Sequence, residues 1–410
     1  MLTLTLTLVA AVCGSMRATP CVPRRGHTGL IIGQDYGSIL NYTSKVVENS
    51  KPFGLMTYTA LRNENGDLPG LESPIDYGSG TEWAVGLSNR YPGSAIQLGL
   101  WIVNVVEQIS SGDLDAQIDL LISTVNASDS DYYIRIGYEF DSESNNYDTE
   151  AYKAAFKYIV SRFRAARVEN AVFVWHASGF KPRNKLSVQA WFPGATFVDW
   201  CGVSLFQQPY DCQSADVCRM EYPSQFAEFC GKNGIPLMIA ESAPFGGIVN
   251  ELEVPRASNE AGFKGSSWSK WFTPVLAFIE KYDVRIWSYI NCNWDSQPMW
   301  AKEHSRGESW GDTRIEEYSD VLDRWKLEVL KADRYILSYD TVLADDVCQD
   351  MIDTRPAGSD LMDILRSMGV VLLSMFVPFL YLFCVLAAIA IGFWVYDKYF
   401  LHRSGYQYIH

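Results

Sequence analysis

Two glutamates in this chain each lie just past a short apolar run. Glu139 follows the run at residues 132–137, and Glu241 follows the run at 236–240. Two carboxyl groups that face each other at about 5 to 5.5 Å can hydrolyse a glycosidic bond with retention, because one protonates the leaving oxygen while the other attacks the sugar. Each glutamate alone could equally cap a helix or pair with an arginine, so this interpretation depends on a fold that brings them together.

Eight short apolar runs rich in strand-forming residues recur along the middle of the chain, separated by polar loops and by stretches with helical periodicity. The predicted strands cover residues 29–33, 53–59, 95–102, 132–137, 171–176, 198–205, 236–240 and 284–290. Buried strands that alternate with amphipathic helices are typical of a parallel sheet. The pattern predicts an α/β fold, a (β/α)8 TIM barrel over residues 27–342, with a doubly wound open sheet as the alternative.

In such a barrel, functional groups gather at the C-terminal ends of the strands. The fourth and seventh strands face each other across the mouth, so Glu139 and Glu241 would meet in one cleft. Arg135, inside the fourth run, would hold Glu241 ionised while Glu139 stays protonated. The same arginine could instead form an interior ion pair without a catalytic purpose.

The composition indicates which partners to expect. Aromatic residues make up 14% of the chain, with 13 Trp and 23 Tyr, and aromatic faces are suitable stacking surfaces for a polysaccharide or oligosaccharide. The net charge of -14 repels phosphate backbones, so no nucleic acid partner is expected. The five His and nine Cys show no zinc-type spacing, so no metal or cofactor is expected. A metal-dependent hydrolase would need more strand-end ligands than His176.

Two apolar segments predict the location of the protein. Residues 1–18 have the character of a signal peptide, and an ordinary first strand is the alternative. Residues 367–396 carry no charge and are long enough for a transmembrane helix, with an acidic stalk before it at 343–366 and a short cytoplasmic tail after it at 397–410. We expect a single-pass type I membrane protein with its barrel extracellular or lumenal. The polar tail argues against the alternative of a GPI signal.

Several residues fit an oxidising compartment. Cys212 and Cys218 lie close together in a polar loop and are candidates for a small disulfide. Cys201 and Cys292 fall in apolar runs, where buried free thiols are expected. The sequons at Asn41 and Asn126 are candidates for glycosylation.

These motifs resemble the retaining glycoside hydrolases of the 4/7 barrel clan, most closely glycoside hydrolase family 26, the β-mannanase family. The resemblance is patchy over roughly residues 29–330, and its matching segments are 135–139, 192–194, 197–203 and 239–241. It implies Glu139 as the acid/base and Glu241 as the nucleophile. It also implies that Trp287 lies beneath the cleaved sugar. The other residues that it implies for the substrate site are Arg135, Tyr138, Trp175, Trp294 and Trp310. A tryptophan on a barrel strand could instead belong to the core.

Two positions depart from the family pattern. Tyr138 stands where the family has His, and Phe206 stands where it has Tyr at the end of strand six. Both missing groups normally hydrogen-bond near the reacting carboxylates, so Tyr210 or another donor would have to replace the hydroxyl. The expected function is a membrane-anchored retaining glycosidase, endo-acting rather than exo-acting, on a mannan-like or related β-glycan. The alternative is a non-catalytic glycan-binding receptor that keeps the barrel.

Overall fold

The computed structural model describes residues 20–62, 67–180, 187–206, 220–250, 265–300, 309–338 and 347–349. Within them, eight strands form the central sheet: β1 (Thr28–Gly33), β2 (Gly54–Ala60), β3 (Ala95–Trp101), β4 (Tyr132–Ile136), β5 (Ala171–Ala177), β6 (Trp200–Leu205), β7 (Leu237–Ser242) and β8 (Ile286–Ile290). Each strand overlaps one of the eight predicted runs. The predicted sixth and eighth strands begin two residues before the observed ones.

The sheet closes on itself as a barrel. Every strand pairs in parallel with the next in chain order, and β8 returns to pair with β1, with Ile286 opposite Gly29 and Ile290 opposite Gly33. The short strand Tyr335–Ile336 also pairs in parallel with the start of β1, at Thr28 and Gly29. The predicted (β/α)8 barrel is therefore confirmed, and the open doubly wound sheet is wrong.

Helices cover the outside of the barrel. The α-helices in the described residues are α1 (Tyr36–Lys45), α2 (Ala84–Arg90), α3 (Val106–Ser111), α4 (Asp115–Ala127), α5 (Thr149–Ala165), α6 (Val188–Trp191), α7 (Glu221–Lys232), α8 (Thr273–Lys281) and α9 (Ser319–Trp325). Helix α5 shows why they form: the side chain of Asp148 caps its first turn by accepting from the backbone N–H groups of Glu150 and Ala151. One apolar face of α5, which includes Phe156 and Ile159, is buried.

The strands divide their side chains between two cores. Because neighbouring residues of a strand point to opposite faces, one set fills the barrel interior and the other packs against the helices. Val174, Met238 and Ile286 belong to the inner core. Phe173, Ile239 and Trp287 belong to the outer core.

Two short segments from opposite ends of the described chain close the N-terminal end of the barrel. We call this strand pair, Val22–Pro23 and Cys348–Gln349, the floor. Val22–Pro23 pairs antiparallel with Cys348–Gln349, and a disulfide joins Cys21 to Cys348. Val22 is fully buried in the inner core. Part of the predicted stalk thus pairs with residues that precede the predicted domain, so the folded unit extends beyond 27–342 on both sides.

The cysteine predictions have mixed outcomes. Cys201 forms a disulfide with Cys230 of α7, so the prediction of a free thiol at Cys201 is wrong. That strand residue points outward, where α7 brings its partner within reach. Cys292 is buried and free, as predicted. Cys212 and Cys218 lie outside the described residues.

The predicted targeting segments also lie outside the described residues, apart from residues 347–349 of the stalk. Among the helices that are described, none combines the length and apolar character needed to cross a bilayer. Asn41 on α1 and Asn126 on α4 are both exposed, and their glycosylation stays a prediction.

Candidate active site

Glu139 stands on a tight turn just beyond β4. Its own φ is 53° and that of Gly137 is 55°, a region that residues with a side chain rarely adopt. The Asn145 side-chain amide donates to the carbonyls of Tyr138 and Glu139, at 2.9 and 3.0 Å, and so holds the turn in place. Such strained positions are frequent at functional sites. The turn carries the half-buried Glu139 carboxyl at the C-terminal end of the barrel.

Burial, charge and hydrogen bonding together set the pKa of Glu139. The Ser204 hydroxyl of β6 donates to Glu139 Oε1 at 2.7 Å. Burial and the negative charge of Glu241 raise the pKa of Glu139 to about 8, and the bond from Ser204 offsets only part of this rise. At neutral pH the Glu139 carboxyl is therefore mostly protonated, which is the state a general acid needs.

Glu241 reaches the barrel interior through an irregularity in β7. The register between β6 and β7 shifts after Ile239, so that Glu241, not Ala240, is opposite Ser204. Without this bulge, simple alternation would put Ala240 and Glu241 on opposite faces of the sheet. The bulge turns the carboxylate towards the interior, where the Tyr58 hydroxyl donates to Glu241 Oε1 at 2.8 Å.

Arg135 is the cation of the site. It is fully buried on β4 and forms an ion pair with Glu241 through Nη1. Burial lowers the pKa of the guanidinium, but Glu241 and Tyr58 together more than offset this and raise the pKa overall. The rings of Tyr58 and Tyr138 lie 5.0 and 5.2 Å from the guanidinium carbon. The predicted role of Arg135 as the partner of Glu241 agrees with this contact.

The two carboxyl groups thus share one cleft but have different surroundings. Ser204 contacts both residues, because its backbone lies opposite Glu241 in the β6–β7 pairing and its hydroxyl donates to the Glu139 carboxyl group. Burial raises the pKa of the Glu139 carboxyl group, whereas the Glu241 carboxyl group forms an ion pair with Arg135 and accepts a hydrogen bond from the Tyr58 hydroxyl. Paired carboxyl groups with such opposed environments are the arrangement used for acid and nucleophile roles. No group of side chains in the described ranges could hold a metal ion.

Sequence comparison identifies the relatives of this barrel. Residues 140–255 match the model of Glycosyl hydrolase family 26. A β-1,3-xylanase from a Vibrio species is 30% identical over 321 residues, which is 76% of this chain and 66% of the relative. A β-1,3-xylanase from an Alcaligenes species is 30% identical over 303 residues, which is 72% of this chain and 62% of the relative. The resemblance to glycoside hydrolase family 26 is therefore confirmed.

The alignments cover just under two thirds of the length of these two xylanases. Solved family 26 structures are also similar. A modular endo-β-1,4-mannanase from Cellulomonas fimi is 14% identical with a TM-score of 0.49, covering 76% of this chain and 72% of that one. A β-mannanase from Bacteroides ovatus is 12% identical with a TM-score of 0.49, covering 76% of this chain and 91% of that one.

The two departures from the family 26 pattern have different structural outcomes. Phe206 packs edge-on against Trp294 and Trp310 in an aromatic cluster. Tyr58 supplies the hydroxyl that Phe206 lacks, from β2 instead of β6. Sequence reasoning missed Tyr58, although it lies two residues from Met56 on the inward face of a predicted strand. Tyr138 is half-buried beside Tyr58 and Trp101, with ring centroids 5.4 and 6.0 Å away.

Two predicted subsite tryptophans belong to the outer core, which corrects both predictions. Trp287 is fully buried, packs against Trp325 of α9 with ring centroids 5.2 Å apart, and donates from Nε1 to Ser242 Oγ. Trp175 is fully buried and stacks on Phe140 at 4.6 Å. Both side chains point away from the barrel interior, because each is one residue out of phase with the inward positions of its strand.

The other two predicted tryptophans lie in the aromatic cluster that follows β7 and β8. Trp310 is half-buried and stacks on Trp294 at 4.9 Å. Trp294 is almost fully buried and donates from Nε1 to Thr313 Oγ1. Trp300, which sequence reasoning missed, lies 5.3 Å from both rings. Trp300 and Trp310 are partly exposed and keep indole surface that a sugar could contact.

Proposed function

We propose that this chain is a retaining, endo-acting glycoside hydrolase of β-linked polysaccharide. The observation that carries the proposal is the pair of carboxyl groups with opposed surroundings at one end of the barrel. Glu139 has a pKa raised to about 8, and Glu241 is ion-paired with Arg135. The match of residues 140–255 to Glycosyl hydrolase family 26 and the two β-1,3-xylanase relatives support the same reaction class.

The mechanism has two steps that balance in protons and charge. In the first, Glu241 attacks the anomeric carbon while Glu139 gives its proton to the leaving oxygen, which yields a glycosyl ester on Glu241. In the second, the Glu139 carboxylate takes a proton from a water molecule, which attacks the same carbon and releases Glu241 as a carboxylate. Arg135 and Tyr58 stabilise that returning negative charge.

A xylan is the substrate that we favour. The two relatives named above are β-1,3-xylanases, whereas the solved structures are β-1,4-mannanases. The relatives that are more similar in sequence therefore point to β-1,3-linked xylose polymers ahead of mannan. Trp300 and Trp310, with their partly exposed rings, are candidates for contact with the sugar chain.

We also propose that the barrel faces the cell exterior or an internal lumen, with the chain anchored as a single-pass type I membrane protein. Two disulfides, Cys21–Cys348 and Cys201–Cys230, support an oxidising compartment. The exposed sequons at Asn41 and Asn126 fit the same placement. Glycosidase digestion of the full-length chain from a eukaryotic host would shift its mass if these sites are used.

The reaction is tested with the purified full-length chain on β-1,3-xylan, β-1,4-xylan and β-1,4-mannan. Glu241→Ala and Glu139→Ala should each lower turnover by several orders of magnitude, because both steps need both groups. Asp199→Asn is the matched control, since it alters a buried carboxylate just before β6, at the opposite end of the barrel. Equal turnover by the wild type and Glu241→Ala would contradict the proposal.

Azide separates the two roles. In Glu139→Ala it should intercept the glycosyl ester and give a glycosyl azide with the configuration of the substrate, because no base is needed. In Glu241→Ala it should attack from the nucleophile side and give the opposite configuration. Proton NMR of the first-formed wild-type product should show the substrate anomer, and the other anomer would instead indicate inversion.

A glycan-binding receptor without catalysis is the second candidate. It is favoured by Tyr138, which stands where the family has His. If the wild type binds xylan without turnover, and if Glu139→Gln and Glu241→Gln bind it equally well, this second function replaces the first.

A further inference from the structure

Two buried polar side chains connect the cation of the site to the general acid. His176 of β5 is fully buried, and its Nε2 lies 2.9 Å from Ser204 Oγ. Its Nδ1 lies 3.4 Å from Arg135 Nη1. Since Ser204 also contacts Glu139 Oε1 at 2.7 Å, the four side chains form one continuous hydrogen-bonded chain.

Arg135 determines which group donates and which accepts in each of these three hydrogen bonds. A guanidinium only donates, so Nδ1 of His176 must accept. Burial, together with the charge of Arg135, lowers the pKa of His176 well below its usual value, so the ring is neutral. A neutral ring that accepts at Nδ1 carries its proton at Nε2, and it therefore donates to Ser204. The Ser204 hydroxyl proton is left to point at Glu139 Oε1.

We propose that His176 and Ser204 are a positioning pair that fixes which oxygen of Glu139 carries the acid proton. Oε1 already accepts a hydrogen bond from Ser204, so the transferable proton stays on Oε2. The pair also keeps the carboxyl group from rotating between protonation of the leaving oxygen and its later service as base. This role rests on the proposed glycosidase function and adds two residues to it.

The groups around Glu139 determine whether loss of the Ser204 hydroxyl should raise or lower the pKa of Glu139. Glu241 and Asp141 raise the pKa of Glu139, whereas Arg135 and the hydrogen bond from Ser204 lower it. Removal of the Ser204 hydroxyl should therefore raise the pKa further. It should also leave the carboxyl group without its fixed orientation.

The test compares Ser204→Ala with Ser94→Ala in the full-length chain. Ser94 is a matched control, because its buried hydroxyl makes one bond, to the Pro52 carbonyl, at the start of β3 and far from the mouth. For Ser204→Ala we expect the basic limb of kcat/KM to move up by about one pH unit and kcat on polysaccharide to fall about tenfold. For Ser94→Ala we expect an unchanged pH profile.

A second measurement separates orientation of the acid from general loss of structure. A dinitrophenyl β-xylobioside has a leaving group that departs without protonation, so its rate of glycosylation does not depend on the acid. Ser204→Ala should keep a near wild-type kcat/KM on it, because this constant reports glycosylation, while kcat/KM on polysaccharide falls. His176→Phe should show the same selectivity in weaker form. If both substrates lose rate equally, or if the basic limb stays in place, the positioning role is overturned. If the wild type turns over neither substrate, the proposed function itself fails.

Discussion

Glu139 and Glu241 have the same side chain, but the groups that surround their carboxyl oxygens differ. Burial and the charge of Glu241 raise the pKa of Glu139, and the bond from Ser204 and the charge of Arg135 offset only part of this rise. Glu241 is as deeply placed, but it contacts Arg135 and Tyr58. The residue types could be found in the sequence, but this division of roles depends on contacts between strands that are distant in the chain.

The raised pKa of Glu139 predicts how activity and stability depend on pH. Above about pH 8 the group loses its proton, so kcat/KM on polysaccharide should fall, and a dinitrophenyl substrate should not show this limb. Because the folded pKa exceeds the unfolded value of 4.5, its contribution to stability is complete below pH 4.5 and is lost as pH rises through 8. Thermal unfolding of Glu139→Gln should show a smaller loss of Tm from pH 5 to 9 than the wild type. An identical loss in both proteins would contradict the assignment.

Removal of the Tyr58 hydroxyl should slow the second chemical step more than the first. Glu241 regains its negative charge as the glycosyl ester breaks, and the bond from Tyr58 stabilises that charge. In Tyr58→Phe, kcat should fall about tenfold or more and KM should fall with it, because the ester accumulates. Intact-mass measurement should detect the ester after mixing with substrate. Tyr91→Phe, which removes a buried hydroxyl bonded to Thr43 on the outer side, should leave both constants unchanged.

At the scale of elements, the eight strands could be predicted from sequence, because each is a short apolar run between turn residues. The direction of individual side chains could not. Both faces of each strand are buried, so the alternation that would mark an inward face is hidden. The family resemblance implies Trp175 and Trp287 as substrate contacts, and no alternation in their strands indicates that they belong to the outer core. Likewise, the bulge that turns Glu241 inward leaves no mark in residues 237–242.

Substitution of Trp175 should affect the fold and leave the sugar contacts intact. Its ring stacks on Phe140 and packs against Phe226 of α7, so Trp175→Ala opens a cavity in the outer core. We expect a loss of about 3 to 5 kcal/mol in the free energy of unfolding, measured in urea, with KM unchanged at temperatures where the variant stays folded. Trp310→Ala should show the reverse, with a small loss of stability and a raised KM. A raised KM in Trp175→Ala would contradict the assignment of Trp175 to the outer core and indicate that it contacts the sugar.

At the scale of the whole described unit, two disulfides act over very different lengths of chain. Cys21–Cys348 spans 327 residues and closes the floor, whereas Cys201–Cys230 spans 29 and joins β6 to α7. Neither pairing could be read from the sequence. Cys21 and Cys348 meet only once the barrel has closed, and Cys201 meets Cys230 only once α7 has packed on the outer face of β6. Cysteine spacing along the chain pointed instead to Cys212 and Cys218.

Loss of the longer link should cost more stability than loss of the shorter one. The constraint on the unfolded chain grows with the logarithm of the loop length, which makes the difference about 2 kcal/mol. Cys21→Ala/Cys348→Ala should therefore unfold at lower denaturant than Cys201→Ala/Cys230→Ala. Below their unfolding temperatures, both double variants should keep the wild-type dependence of kcat/KM on pH. The opposite order of stability would show that local packing around α7 outweighs the constraint.

The pairing of Val22–Pro23 with Cys348–Gln349 and the Cys21–Cys348 disulfide bring the two ends of the segment 21–348 next to each other. A circularly permuted protein should therefore be possible, with a short linker joining this strand pair and new termini at the exposed turn around Arg167 between α5 and β5. Such a permutant would order the strands β5 to β8 before β1 to β4. The nucleophile strand would then precede the acid strand in sequence, while the cleft between them stayed the same.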